Sequence, residues 1–184
     1  MNRRVAAATS VFLTLVGGGC AGHVRRPVAA PDPDDQKVAL LDRDPLLLAA
    51  VSGATAAPMS VSGGHGGTNP TPVYAFRTWT FAAGQADDAA FADAIRRAAT
   101  AGARLDDVTC GGRTFIAAGF KAVGPYVGRL TVSVSREGGP APVLRVSLSV
   151  KGGDDTPRLP FPSATHHVDA GCPRGVRAAA GSHA

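Results

Sequence analysis

The 184-residue chain predicts an α+β fold: an antiparallel sheet of about four strands with one main helix packed on one face, preceded by a flexible tether. Three observations carry this expectation. Residues 129–136 and 143–151 both alternate strictly, with Leu130, Val132 and Val134 in one run and Leu144, Val146, Leu148 and Val150 in the other. Period-two alternation means one buried and one wet face. Between an aromatic, β-branched run and these two lies one stretch of helical periodicity.

In chain order, residues 21–36 carry Pro27, Pro31 and Pro33 among Asp32, Asp34 and Asp35, with few apolar side chains, and read as an extended tether. Asp44 followed by Pro45 is a helix start, Asp as N-cap and Pro as the first helical residue. Residues 52–72 are rich in Gly, Ser, Thr and Pro and read as loop throughout. Residues 73–81 (VYAFRTWTF) have strand composition.

Asp87 and Asp88 then open the main helix, where carboxylates suit the positive end of the dipole, and Arg96, Arg97 and Arg104 lie toward its other end. Phe91, Ala94, Ile95, Ala98, Gly102 and Leu105 form its apolar stripe, Asp93 and Arg97 pair on its outer face, and Gly102 is its natural stop. Residues 108–109 and 114–120 are strand material broken by Gly111 and Gly112. Residues 137–142, with two glycines and two prolines, turn the hairpin. Beyond Gly152, Pro157, Pro160, Pro162 and Pro173 exclude a central strand, and residues 178–184 are expected to form a disordered tail. The predicted division is 1–19 leader, 20–36 tether, 37–72 short helix and loop, 73–177 α+β domain, 178–184 tail.

The leader rests on Arg3 and Arg4, an apolar and small stretch over residues 5–19, and Gly17, Gly18 and Gly19 directly before Cys20. The stretch is too short to span a bilayer as a helix. This pattern, confined to about the first 22 residues, resembles bacterial lipoprotein precursors. The resemblance implies diacylglycerol and acyl chains such as palmitate on Cys20, loss of residues 1–19, and anchoring at the extracytoplasmic face of the cell membrane. Simple secretion with cleavage near Gly22 is the alternative. If Cys20 is consumed by lipid, Cys110 and Cys172 remain as a pair, and export makes a disulfide between them reasonable. Two unpaired buried cysteines are the other reading.

The net charge of +5 includes Arg3 and Arg4, so the remainder carries +3. With 16 Arg and three Lys but no run of four basic residues, the chain lacks a nucleic-acid footprint. No GxSxG elbow, Walker loop or CxxC occurs, and the pairs Asp106-Asp107 and Asp154-Asp155 read as solvated loops. His166, His167 and Asp169 form the densest cluster of metal-ligand types, but adjacent residues of an extended chain point apart, so no metal or cofactor is expected. His65, among four glycines, cannot preorganise a ligand.

The wet hairpin face places Arg129, Arg145 and Lys151 beside Thr131, Ser133, Ser135, Ser147 and Ser149. That set could hold an anionic surface such as lipid headgroups, an envelope polymer or an acidic envelope protein, but a solvated sheet face that avoids aggregation explains the same residues and is the first reading. The function expected is a lipid-anchored, non-enzymatic binding or interaction module. The alternatives are a structural envelope protein and an accessory hydrolase.

Overall fold

A computed structural model describes residues 32–64, 71–136, 138–153 and 156–181. The chain order is α1 (Pro33–Asp42), α2 (Pro45–Leu48), β1 (Ala54–Ala56), β2 (Ser60–Ser62), β3 (Val73–Phe81), α3 (Asp87–Thr100), β4 (Arg104–Gly111), β5 (Thr114–Val123), β6 (Tyr126–Ser135), β7 (Val143–Val150), β8 (His167–Val168) and α4 (Arg174–Gly181). One sheet runs β1-β3-β7-β6-β5-β4-β8, with β2 also paired to β3. Every pairing is antiparallel except β4 with β8.

The class is α+β, as the sequence predicts, but the sheet is larger and mixed, and the described residues form four helices. The extra strands are short edge pieces. The three-residue β1 and β2 are polar and small, and take their order from hydrogen bonds to the long β3 beside them. Such strands have no alternation of their own to read, so residues 52–72 are not loop throughout.

The predicted hairpin is present in register, with Leu130 opposite Leu148 and Val132 opposite Val146. Leu130, Val132, Val134, Leu144, Val146, Leu148 and Val150 are all buried. Val73, Ala75 and Trp79 of β3 continue the same dry face, and the buried side chains of all four helices join it in one core. The opposite face carries no helix among the described residues.

Asp87 and Asp88 do lie in the first turn of α3, and Phe91, Ala94, Ile95 and Ala98 face the core. Gly102 stops the helix: its φ is +79°, and the next amide, Ala103 N–H, reaches back to the Ala98 carbonyl at 3.0 Å. Leu105 therefore belongs to β4, not to the helical stripe. Asp87 also receives both its oxygens' bonds from Arg136 Nε at 2.7 and 2.8 Å, fastening the start of α3 to the end of β6.

Two corrections concern the ends of the domain. α1 begins at Pro33, inside the predicted tether, because Asp32 caps it by accepting the Asp34 N–H at 2.8 Å. α4 covers Arg174–Gly181, where the predicted tail begins. Val176, Ala179 and Ala180 are buried on one side of it, and their small size lets α4 pack against α3. Only residues 182–184 of that tail lie outside the described residues. Cys110 and Cys172 form a disulfide with a Cα–Cα distance of 5.0 Å, joining β4 to the residues just before α4.

Two lysines lie in the dry layer. Lys37 is 0% and Lys121 is 4% exposed. Lys37 Nζ donates to Asp34 Oδ1 at 2.9 Å and to the Gly153 carbonyl. Lys121, on the core side of β5, donates to Asp44 Oδ2 at 2.6 Å, while Asp44 Oδ1 accepts the Leu46 N–H at 2.9 Å as the cap of α2. One carboxylate thus caps a helix and neutralises a buried ammonium.

Two stability predictions follow from these contacts. Replacing both Cys110 and Cys172 by Ser should lower the unfolding free energy in urea by about 4 kcal/mol, from the closure entropy of a loop of 62 residues. The native chain should weigh two hydrogens less than its reduced form. Asp44→Ala leaves Lys121 buried without a counter-charge and uncaps α2, so it should cost about 4–5 kcal/mol. A loss below about 1 kcal/mol would show that the pair does not hold α2 to the sheet.

Candidate functional site

On the open face, the strand registers set residues in rows. One row runs across five strands: Tyr74 on β3, Ser149 on β7, Arg129 on β6, Phe120 on β5 and Arg104 on β4. The Arg129 guanidinium lies 5.1 Å from the centre of the Phe120 ring. From the other side the Arg104 guanidinium lies 5.6 Å from Phe120 and 5.6 Å from Phe161. Phe161 in turn stacks on Phe120 at 6.4 Å.

Residues 157–162 turn this end of the flat face into a cleft. Val127 N–H donates to the Pro157 carbonyl at 2.8 Å, and Leu159 N–H to the Pro125 carbonyl at 3.4 Å. Further along, Arg104 donates to the Pro162 carbonyl and, through Nε, to Asp106 Oδ1 at 3.2 Å. The cleft measures about 450 Å³. Its floor is Phe120, Val127, Arg129 and Ser149, and its walls are Lys151, Arg158 and Pro157, Pro160 and Pro162.

Arg104 reaches Phe120 because β4 bulges at Asp106, between Leu105 and Asp107. Gly119 permits that bulge: a Cβ there would sit 2.0 Å from the Arg104 carbonyl oxygen. The consequence is two differently used arginines. Arg104 is held by one hydrogen bond to Asp106 and one to the Pro162 carbonyl. Arg129 stacks on Phe120, and among the described residues no carboxylate pairs with it. Stacking holds a guanidinium by its face and leaves its in-plane N–H fork to meet a carboxylate or phosphate. Along the open face of β3, β5, β6 and β7 no described residue is acidic.

The residues singled out from the sequence separate. Arg129 and Lys151 come together in the cleft. Arg145 does not join them: it pairs across with Ser133 and Thr78 and stacks on Phe76 at 4.3 Å, about 13 Å up β7 from Ser149 at the usual rise per residue. Cys110 and Cys172 are on the covered side, and Cys20 lies outside the described residues, as does His65. His166 donates from Nδ1 to the Leu105 carbonyl at 2.8 Å, His167 Nδ1 meets Asp107 Oδ1 at 2.9 Å, and Asp169 accepts the Gly171 N–H. Among the described residues, no three His, Cys, Asp or Glu side chains are grouped to hold a metal.

Sequence reasoning missed Arg104, Phe120 and Arg158. One signal was present: Thr114, Ile116, Ala118 and Phe120 mark a wet face that is unusually apolar, which the apolar run Leu159, Pro160, Phe161 and Pro162 then meets. A second hollow, between α2 and α3, is lined by Pro45, Leu46, Ala49, Arg96 and Arg97, but Arg97 is engaged by Asp93 at 2.6 Å and by the Ala50 carbonyl. No family model matches the chain, and neither does any curated protein or any solved structure.

Gly119→Ala should force β4 away from β5 and unseat Arg104 from Phe120, costing about 2–3 kcal/mol of stability in urea unfolding. An unchanged midpoint would mean that the bulge does not depend on a missing side chain.

Proposed function

We propose that this chain is a lipid-anchored extracytoplasmic protein whose α+β body is a non-enzymatic binding module for an anionic partner. The observation that carries the reading is the cleft, where Arg129, backed by the Phe120 ring, stands beside Lys151 and the Ser149 hydroxyl. The described lining groups are cations, a hydroxyl and apolar rings. They are suited to holding negative charge and include no carboxylate or imidazole to serve as a general base. The anchor is supported by the leader pattern ending at Cys20, and export by the Cys110–Cys172 disulfide, a bond favoured in oxidising compartments.

Cys20→Ala should abolish incorporation of a fatty-acid probe and shift the chain from the membrane fraction to soluble protein or uncleaved precursor. A wild-type chain that the probe leaves unmarked would remove the anchor from this reading while leaving the cleft intact.

A further inference from the structure

The end of the sheet at which the cleft lies is also the end near which the described residues begin, at the start of α1. Asp34, at the start of α1, accepts the Gly153 N–H at 3.1 Å, and Lys37 of the same helix donates to the Gly153 carbonyl. Gly153 is two residues beyond Lys151, a wall of the cleft. The twelve residues from Cys20 to Asp32 reach at most about 40 Å fully extended. A body anchored at Cys20 therefore carries its cationic end within reach of its own membrane leaflet.

The wall of the cleft suits that setting. Leu159 is 45% exposed and is followed by Pro160, Phe161 and Pro162, so apolar groups stand at the rim immediately beside Arg129 and Lys151. Apolar side chains at the headgroup boundary, with cations level with the phosphates, are the arrangement by which proteins sit on anionic bilayers. A cleft of about 450 Å³ is concave and takes a single headgroup, not a flat expanse of surface.

We infer that the cleft captures the phosphate of an anionic glycerophospholipid in the membrane to which the chain is anchored. Arg129 presents its N–H fork to the phosphate, Ser149 adds a hydroxyl donor, and residues 159–162 rest on the glycerol and upper acyl region. The inference rests on the anchored reading for its biological setting, while its chemistry can be tested without the anchor.

The test uses the full chain carrying Cys20→Ser, so that acylation contributes nothing, sedimented with vesicles of phosphatidylcholine alone or with added phosphatidylglycerol. The expected result is partition that rises with phosphatidylglycerol and falls with salt. Arg129→Gln should weaken it about fivefold, at the usual strength of a basic residue near an anionic surface. Arg129→Lys, which keeps the charge but loses the stacked N–H fork, should recover only part of the loss, and an unchanged urea midpoint controls for folding. Arg145→Gln, on the same face but outside the cleft, should change partition less than twofold. Partition indifferent to phosphatidylglycerol, or an Arg145→Gln effect equal to that of Arg129→Gln, would overturn the inference. Binding of free glycerol phosphate without any vesicle preference would overturn it too, in favour of a soluble ligand. Failure of the fatty-acid labelling at Cys20 would strike only the anchor.

Discussion

Alternation in β3, β6 and β7 commits one face of the sheet to exclusion from water, and the rest of the molecule is arranged to cover it. Val73, Ala75, Trp79, Leu130, Val132, Val134, Leu144, Val146, Leu148 and Val150 present a continuous apolar surface that no strand pairing can hide. The α3 crossover connects β3 to β4 across that face, because three strands stand between those two in the sheet. α4 then lies against α3, held by a disulfide to β4, while α1 and α2 cover the side nearer β3. Among the described residues the helices cover one side alone and leave the opposite face open, which is the precondition for any cleft on it.

The N-terminal cover is attached by charge as much as by apolar contact. α1 and α2 are short, and an isolated helix of either length would not persist in water. Leu41 and Leu47 bury fully, but Lys37 and Lys121 require carboxylates in place, and Asp34 and Asp44 occupy positions that only the folded helices supply. A buried ammonium tolerates few geometries, so these pairs specify where the segment sits more than they add net stability. Asp34 also binds the backbone at Gly153, so the geometry of the loop after β7 depends on α1 being seated.

The long elements were legible in the sequence because each carries its own periodicity: β3, α3 and β7 fall within a residue or two of the predicted limits, and β6 begins three residues earlier than predicted. What escaped had no local signal or a competing one. β1, β2 and β8 are ordered by the strand they lie beside. α4 is built from alanines and glycines that also suit a frayed tail, and only its contact with α3 decides between the two. α1 is more instructive. Asp32 followed by Pro33 is the same cap signal as Asp44 followed by Pro45, yet the surrounding prolines and aspartates gave it the composition of a tether. For the site, alternation correctly placed Arg129 and Lys151 on the wet face, but three cations on one face did not reveal which two would meet. That was decided by register, which sets Arg129 opposite Ser149 and leaves Arg145 opposite Ser133, and residues 157–162 then wall the cleft through hydrogen bonds to Pro125 and Val127.

An open sheet face needs charge to remain soluble, and serine, threonine and scattered arginine would accomplish that without any aromatic ring. Phe120 and Phe161 are therefore the residues that a purely solvated face does not explain. Their rings lie against each other and against Arg104, which is itself held by hydrogen bonds to Asp106 and the Pro162 carbonyl, so the aromatic pair is fixed in place. Arg129 leans on the same ring and retains its donors. A guanidinium already immobilised by stacking loses less freedom on meeting an anion than one on a free side chain. Within this row, Arg104 is the fixed support and Arg129 the group placed to act, a division that two arginines with the same partners could not provide.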